Sequence, residues 1–154
     1  LDIGVAPYLI SSTVNVVVGQ RLVRKLCQDV KQPYHPSDNV VEMMHKNLDR
    51  LSGFDLVTAD GSQKIHFDAE TNDIQLYKPG KGPNCEDGFA GRVGIFEVMA
   101  MSDKISKMVM ENPSSSEIHQ QAVQEGMITM AQDGFMKALE GVTTVEEVLR
   151  VQTS

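Results

Sequence analysis

The sequence predicts an α/β fold in which a helix and several strands are followed by a group of helices. The segment "GRVGIFEVMA" at residues 91–100 is apolar enough to be a strand inside a sheet. The segment "QRLVRKLC" at residues 20–27 alternates in polarity, as a strand with one buried face does. The last third carries repeated helix-start and helix-stop signals. We therefore expect a small β-sheet and a C-terminal helical bundle.

The opening segment is predicted to be a helix that leads into the first strand. Pro7 stands where a helix can begin, because proline is tolerated in the first turn. Apolar residues then recur at helical spacing up to residue 18. Gly19 interrupts this pattern just before the alternating segment. A helix-to-strand step is the expected order.

The middle of the chain combines one helix with a small β insertion. The segment "KQPYHPSDN" at residues 31–39 is turn-rich and is interpreted as a connector that ends in helix-capping candidates. Residues 40–51 place apolar side chains at helical spacing, which predicts a short amphipathic helix. Between residues 54 and 77, Asp60-Gly61 and Asn72-Asp73 are hairpin-type turn signals. We expect short strands there.

Four helices are predicted in the last third, at residues 103–111, 115–125, 129–140 and 144–151. Ser114-x-x-Glu117 and Thr143-x-x-Glu146 fit the capping box, in which each partner satisfies a backbone N–H of the first turn. Gly126 and Gly141 stand where helices should stop, because glycine tolerates the left-handed conformation.

Composition limits the function classes that this chain can serve. Its 154 residues suit one domain or one lobe of a larger protein. A formal charge of −7 and a pI near 5.0 disfavour nucleic-acid binding. Two distant cysteines suit a reducing compartment, although one bridge between them stays open. We expect a soluble cytoplasmic protein and, because the chain starts at Leu1 inside an apolar segment, a fragment.

Few motifs of catalysis or ligand binding are found. The phosphate-binding G-x-x-x-x-G-K-[ST] loop, G-x-S-x-G, H-E-x-x-H and C-x-x-C do not occur, so no catalytic residue is predicted. The four histidines show no ligand spacing and are interpreted as solvated or core side chains. Glu97 follows an apolar run and could face a charge on a neighbour, or it could be a strand-edge carboxylate that serves solubility. Arg21, Arg24 and Lys25 form a basic cluster. It could contact a phosphate or an acidic partner, or it could be a solvated strand face.

Three segments resemble, in order, the C-terminal end of the type II secretion and type IV pilus assembly ATPases. They are "APYLISSTVNVVVGQRLVRKLC", "GFAGRVGIFEVM" and "EGMITMAQDGFMKALEGVTTVEEVLRV". The resemblance covers nearly the whole chain and is weakest over residues 40–76. It implies the C-terminal lobe of a RecA-like P-loop ATPase. Residues 1–27 would end the ATPase core, 28–87 would be an insertion subdomain, and 88–154 would hold a returning strand and the helical bundle.

Members of this family work as hexameric rings on the cytoplasmic face of the inner membrane. Their Walker loops precede the region that resembles this chain, so ATP and Mg²⁺ would belong to the parent protein. The resemblance implies a piece that contributes packing, subunit contacts and docking to an inner-membrane platform protein, without hydrolysing ATP itself. The alternative is an autonomous acidic protein-interaction module.

The resemblance also implies a zinc knuckle that has lost half of its ligands. Many assembly ATPases of this family carry two C-x-x-C pairs, and Cys27 stands where the first would begin, but Val30 takes its partner position. Cys85 becomes a member of the second pair when a deletion is allowed, with Gly82 or Pro83 in the other place. Structural zinc normally takes four protein ligands, so zinc is not expected. A weak site with His35 as third ligand, or an incidental disulfide, stays open.

The fold of the family assigns further expectations to the strands and the turn between them. Leu22 and Leu26 should be inward members of a strand that pairs with residues 93–98. Gly88 and Gly91 should serve the backbone geometry of the turn. Arg92 is expected to interact within the lobe or across subunits. Tyr77 and Phe89 are expected to pack in the knuckle.

Overall fold

The computed structural model describes residues 5–51, 55–57, 64–66, 74–83 and 85–152. Over these residues the chain combines α-helices with short antiparallel sheets, which confirms the α/β class. The helices are α1 (Pro7–Thr13), α2 (Asp38–Leu48), α3 (Asp103–Met110), α4 (Ser115–Gln124), α5 (Met130–Leu139) and α6 (Val145–Gln152). The strands are β1 (Val16–Leu26), β2 (Gln32–Tyr34), β3 (Asp55–Val57), β4 (Lys64–His66), β5 (Leu76–Lys78) and β6 (Phe89–Ala100). A 3₁₀ turn, Asp49–Leu51, follows α2.

The chain forms two compact units. Unit 1 consists of the described part of Leu1–Gln20 together with Phe96–Thr129, and unit 2 of Arg21–Ile95 with the described residues from Met130 onward. Strands β1 and β6 pair with each other, as expected, and each contributes one end to each unit. The four predicted C-terminal helices are present, but α3 and α4 belong to unit 1 whereas α5 and α6 belong to unit 2.

Unit 1 is built on the amphipathic helices α3 and α4. Ile105, Val109 and Ala122 are its buried core, with partly buried Ile10 and Met99 packed against them. The hydroxyl of Ser102 accepts a hydrogen bond from the Ile105 N–H and so caps α3. The capping box predicted at the start of α4 is present with both of its hydrogen bonds.

Unit 2 has its main core between α2, β5, α5 and α6. The buried members are Val41, Met44, Leu48, Ile74, Leu76, Phe135, Ala138, Val145 and Val148. A second cluster joins Val23 of β1 and Ile95 of β6 to Val151 of α6. Helix α6 therefore contributes to both clusters and holds the β1–β6 ribbon against the helices of this unit.

The insertion between β1 and β6 contains two small antiparallel sheets. Strand β2 pairs with β5, with Pro33 opposite Tyr77, and β3 pairs with β4, with Leu56 opposite Ile65. The expected short strands are thus confirmed, whereas the segment at 31–39, interpreted as a connector, contains β2. The predicted turns at Asp60-Gly61 and Asn72-Asp73 lie outside the described residues.

Two expectations about the first strand were wrong. The opening helix ends at Thr13, and Val16, Val17 and Val18 belong to β1. Consecutive β-branched residues favour an extended chain, and here that preference outweighed the helical spacing. Leu22 is 50% exposed, whereas Val23 is fully buried against Ile95. The inward residues of β1 are therefore Val23 and Leu26.

Gly134 in α5 leads to a test of packing between α5 and α6. A Cβ added at this position would lie 2.6 Å from Val148 Cγ1. Alanine usually stabilises a helix interior by about 0.5–1 kcal/mol relative to glycine, but overpacking a core costs about 1–3 kcal/mol. We therefore expect Gly134→Ala to lower the free energy of unfolding in a urea titration.

The double variant Gly134→Ala/Val148→Ala is the control for this test. Shortening Val148 removes the methyl group that the new Cβ would contact, so the double variant should be more stable than the sum of the two single changes indicates. Strictly additive effects would show that this close approach does not limit the packing.

Candidate functional site

A buried carboxylate lies between two arginines in unit 2. The side chain of Glu147 is only 3% exposed. The Arg24 guanidinium donates to Glu147 Oε1 from Nε at 3.0 Å and from Nη2 at 2.8 Å, while the Arg24 backbone N–H donates to Oε2 at 3.0 Å. Arg150 donates from Nε to Oε1 at 3.2 Å and from Nη2 to Oε2 at 2.9 Å. Both oxygens of the Glu147 carboxylate thus accept hydrogen bonds from both arginines, and a buried charge requires such partners.

Helix α6 and strand β1 place these groups together. Glu147 and Arg150 lie three residues apart and therefore share one face of α6. The Thr144 hydroxyl accepts from the Glu147 N–H at 3.3 Å and caps the helix, while the Thr143 hydroxyl donates to the Arg24 carbonyl at 2.8 Å. The capping box predicted for Thr143 and Glu146 was therefore wrong, because the side chain of Thr143 binds β1 and the cap is the hydroxyl of Thr144 alone.

Arg24 also contacts the segment that precedes and begins β6. Its guanidinium carbon lies 4.0 Å from the centre of the Phe89 ring, which is a cation–π distance. Its Nη1 lies 3.8 Å from Asp87 Oδ2, but the Asp87 side chain is 65% exposed, so this ion pair contributes little. Arg24 thus joins α6 to the start of β6.

The electrostatics of the cluster favour the charged form of Glu147. Burial raises the pKa of this carboxyl, but the hydrogen bonds from Arg150 and Arg24, and the charge of Arg24, outweigh burial and lower the pKa to about 2. Glu147 is consequently ionised throughout the neutral range. Its hydrogen bonds also raise the pKa values of Arg24 and Arg150. The arrangement is that of a structural ion cluster, since the carboxylate is fully engaged and has no capacity left for proton transfer.

The two cysteines meet next to this cluster, in two facing turns. We call this part the knuckle and define it as residues 27–31 together with 79–83 and 85–88. Cys27 and Cys85 form a disulfide with a Cα–Cα distance of 6.5 Å. Gly82 and Cys85 exchange backbone hydrogen bonds at 3.1 and 3.0 Å, and the Cys27 N–H donates to the Gly88 carbonyl at 3.0 Å. The bridge that the sequence left open is therefore present.

The donor set of the knuckle does not fit zinc. The positions paired with the cysteines at the C-x-x-C spacing are Val30 and Gly82, and neither supplies a ligand atom. Both sulfur atoms are already bonded to each other. Among the described residues, no group of three or more His, Cys, Asp or Glu side chains could hold a metal ion, so none completes a set with His35.

The knuckle is also tied to the end of α5. Gly141, in the left-handed conformation with φ 68°, follows that helix as expected. Its carbonyl oxygen accepts from Gln28 Nε2 at 3.1 Å and from Lys31 Nζ at 3.2 Å. The Lys31 ammonium lies 4.5 Å from the centre of the Tyr77 ring. A cation therefore lies at a helix C-terminus, where the helix dipole favours it.

The remaining candidate residues are spread over the two units. Arg21 and Arg92 are exposed in unit 2, and neither forms an ion pair within the described part of the chain. Glu97 and His119 line a groove of about 550 Å³ in unit 1, together with Val17, Val18, Met99 and Met127. Glu97 and His119 are 22 residues apart, and no motif in the sequence connects them. No described helix is both long and apolar enough to cross a membrane.

The sequence of this chain was compared with models of known protein families. The family described as "Type II/IV secretion system protein" matches residues 1–150 of the 154. The chain belongs to this secretion-system family. The resemblance seen in the sequence is thereby confirmed.

Named relatives of this secretion-family chain include type II secretion proteins and type IV pilus assembly ATPases. It is 39% identical to the type II secretion system protein E of Xanthomonas campestris over 98% of its own length and 23% of the relative. It is 34% identical to the type IV pilus assembly ATPase PilB of Acinetobacter baylyi and 31% identical to that of Pseudomonas aeruginosa, covering 97% and 98% of this chain and 23% of each relative. The chain thus spans about a quarter of the length of the relatives it matches.

Sequence reasoning missed the central carboxylate of this secretion-family chain. Glu147 follows Thr144 by three residues and precedes Val151 by four, so a helical projection places it beside the buried stripe of α6. That position is the available signal, because an acidic residue next to an apolar stripe needs a cationic partner when it is buried. Its partner, Arg24, is 123 residues away and could not be read from local spacing.

Glu147→Gln tests the contribution of the cluster to stability and its pH dependence. A carboxyl with a lowered pKa stabilises the fold above its unfolded value, near 4.5, and this stabilisation is lost as the pH falls toward about 2. Hydrogen bonds to charged groups contribute about 1.5–3 kcal/mol, so we expect a loss of roughly that size at pH 7. The difference in unfolding free energy between the native chain and the variant should shrink when urea titrations are repeated at about pH 5, 4 and 3, because the Glu147 carboxyl of the unfolded chain takes up its proton over this range.

Glu146→Gln is the matched control, since Glu146 is the exposed neighbour on the same helical turn. It should change the free energy of unfolding by less than about 0.5 kcal/mol. A difference between the native chain and Glu147→Gln that stayed constant from neutral to acidic pH would contradict the proposed ionisation.

Proposed function

We propose that this chain is the C-terminal part of a hexameric ATPase that powers type II protein secretion or type IV pilus assembly at the cytoplasmic face of the inner membrane. The observation that carries the proposal is the pattern of coverage. Nearly all of this chain aligns with only 23% of relatives that are named pilus assembly ATPases. The remaining three quarters of such a protein would carry the nucleotide-binding machinery.

An exposed apolar face in unit 1 supports a role inside a larger ATPase. Val16 and Val18 of β1 are 51% and 56% exposed, and Phe96 and Val98 of β6 are 39% and 51% exposed. Each pair is two residues apart, so its members point to the same side of their strand. Exposed apolar side chains on paired strands often mark an interface. In the proposed function the preceding part of the ATPase covers these four side chains, which we call the apolar face.

The chain itself would contribute packing and contacts, and no catalytic step. The sequence lacks a phosphate-cradling loop, and the buried carboxylate Glu147 is occupied by two arginines. ATP and Mg²⁺ would therefore bind in the preceding part of the protein. Arg21 and Arg92 are proposed to contact neighbouring subunits, because both are exposed and cationic in a chain with a net charge of −7. Docking to an inner-membrane platform protein would use the assembled ring.

Nucleotide hydrolysis by the 154-residue chain, compared with the complete gene product, tests this proposal. We expect the complete product to form rings in native mass spectrometry and to release phosphate from Mg-ATP. The chain alone should release none above a buffer blank, because positioning of phosphate and metal is missing. Chelator-sensitive phosphate release by the chain alone, or a gene that encodes no nucleotide-binding segment, would refute the proposal.

Val18→Gln, compared with Val18→Ile, tests whether the apolar face is covered in the complete protein. Covering a valine side chain contributes about 1.5–3 kcal/mol, whereas an exposed substitution changes stability by less than about 0.5 kcal/mol. Val18→Gln should therefore lower the melting temperature of the complete protein and leave the 154-residue chain nearly unchanged. Val18→Ile keeps the apolar, β-branched surface and should change neither. Equal effects of Val18→Gln on both proteins would show that the face is not covered.

A further inference from the structure

The resemblance to the secretion ATPases implies a knuckle that has lost half of its zinc ligands, and the residues present do not fit the metal. This loss carries a separate inference. We propose that a thiol–disulfide couple closes the knuckle in place of a metal, and that its oxidation state controls the order of the segment that contacts Arg24. The inference concerns unit 2 alone and does not rest on the proposed ATPase function.

The disulfide adds a covalent bond at the end of the paired strands β1 and β6. It links the residue that follows β1 to the turn that precedes β6, 58 residues later. Cross-linking so long a loop restricts the unfolded chain and thereby stabilises the fold. On the side of Cys85, the backbone hydrogen bonds of the described turn are the Gly82–Cys85 exchange, the Gly88 N–H to the Cys85 carbonyl and the Cys27 N–H to the Gly88 carbonyl. The covalent bond is the constraint on this turn that reduction removes.

Val30 and Gly82 adapt the knuckle to the absence of a second thiol pair. A Cβ at Gly82 would lie 2.6 Å from Val30 Cγ1, and a Cβ at Gly80 would lie 1.9 Å from the Val30 carbonyl oxygen. The valine side chain thus occupies the space that a side chain at position 82 would need. Val30 packed against Gly82 thus fills the knuckle without a metal ion. The Cys27–Cys85 disulfide is then its cross-link.

The oxidation state is coupled to Arg24 through two residues that follow Cys85. Asp87 and Phe89 stand two and four positions after it, and both contact the Arg24 guanidinium. The Phe89 N–H also donates to Asp87 Oδ1 at 3.1 Å, so the two move as one turn. When the disulfide opens, this turn loses its covalent anchor, and Arg24 keeps only its hydrogen bonds to Glu147 as a fixed contact.

The chemistry is exchange with a small thiol of the glutathione class. Cys85 is 4% exposed and Cys27 is partly exposed, so the entering thiolate attacks Cys27 Sγ. The Cys27–Cys85 bond breaks, and its electron pair leaves with Cys85 Sγ, which takes up a proton. A second thiol then releases Cys27 as a thiol and forms one molecule of the small disulfide, so two electrons and two protons enter the protein. The Phe89 carbonyl oxygen lies 3.6 Å from Cys85 Sγ, in place to accept a hydrogen bond from the new thiol.

Hydrogen exchange of the 154-residue chain tests the coupling. The chain is equilibrated in oxidised or reduced glutathione buffers, its thiols are counted by alkylation in denaturant, and backbone exchange is followed by mass spectrometry. We expect no alkylated cysteine and slow exchange at residues 79–90 in the oxidised buffer. In the reduced buffer we expect two alkylated cysteines and exchange at least about tenfold faster in that segment, because a local constraint has been lost. The helix α4, in unit 1, should exchange equally in both buffers.

The double variant Cys27→Ser/Cys85→Ser is the matched control. It should show the fast exchange at residues 79–90 in both buffers and retain the slow exchange of α5, which shows that unit 2 still folds. Three results would overturn the inference: free thiols in the oxidised buffer, equal exchange of the native chain in both buffers, or near-stoichiometric zinc that slows exchange of the reduced chain at residues 79–90.

Discussion

The carboxylate of Glu147 is the group on which the architecture of unit 2 depends. It receives hydrogen bonds from the Arg24 backbone, from the Arg24 guanidinium and from Arg150. A buried charge is tolerated only when its partners replace the lost water, and removing one partner leaves the other uncompensated. Because Arg24 lies on β1 and Glu147 on α6, this requirement fixes the position of the strand against the helix. Val23, Ile95 and Val151 can then form their apolar cluster beside it.

A second connection runs from Arg24 to the knuckle and from there to α5. Phe89 lies under the guanidinium, Cys85 is bonded to Cys27, and Lys31 binds the carbonyl of Gly141. The Leu26 N–H also donates to the Val142 carbonyl at 2.8 Å, so the link between α5 and α6 runs along the end of β1. Polar contacts at this point are mostly to backbone carbonyls, which makes them insensitive to the identity of side chains in the α5–α6 link.

The sequence predicted those elements whose signals are local. Ser114 and Glu117 predicted the start of α4, because both partners of the capping box lie within one turn. The opening helix was predicted too long because three valines can satisfy either a helical stripe or a strand, and only pairing with β6 decides between them. The Arg24–Glu147 contact could not be predicted from spacing, since 123 residues separate its members. In the knuckle, the sequence leaves open whether Gly82 or Pro83 takes the place of the lost cysteine, and the structure shows that Gly82 lies against the Val30 side chain.

The distance along the chain between Arg24 and Glu147 has a consequence for synthesis on the ribosome. Strand β1 is made early, but the carboxylate that neutralises Arg24 is added 123 residues later. All of the residues that form unit 1 precede Met130 and are therefore made before α5 and α6 of unit 2. At elongation rates of roughly 5–20 residues per second, Glu147 is added on the order of ten seconds after Arg24. During that interval the Arg24 guanidinium stays solvated, and β1 cannot take its place against α6 in unit 2.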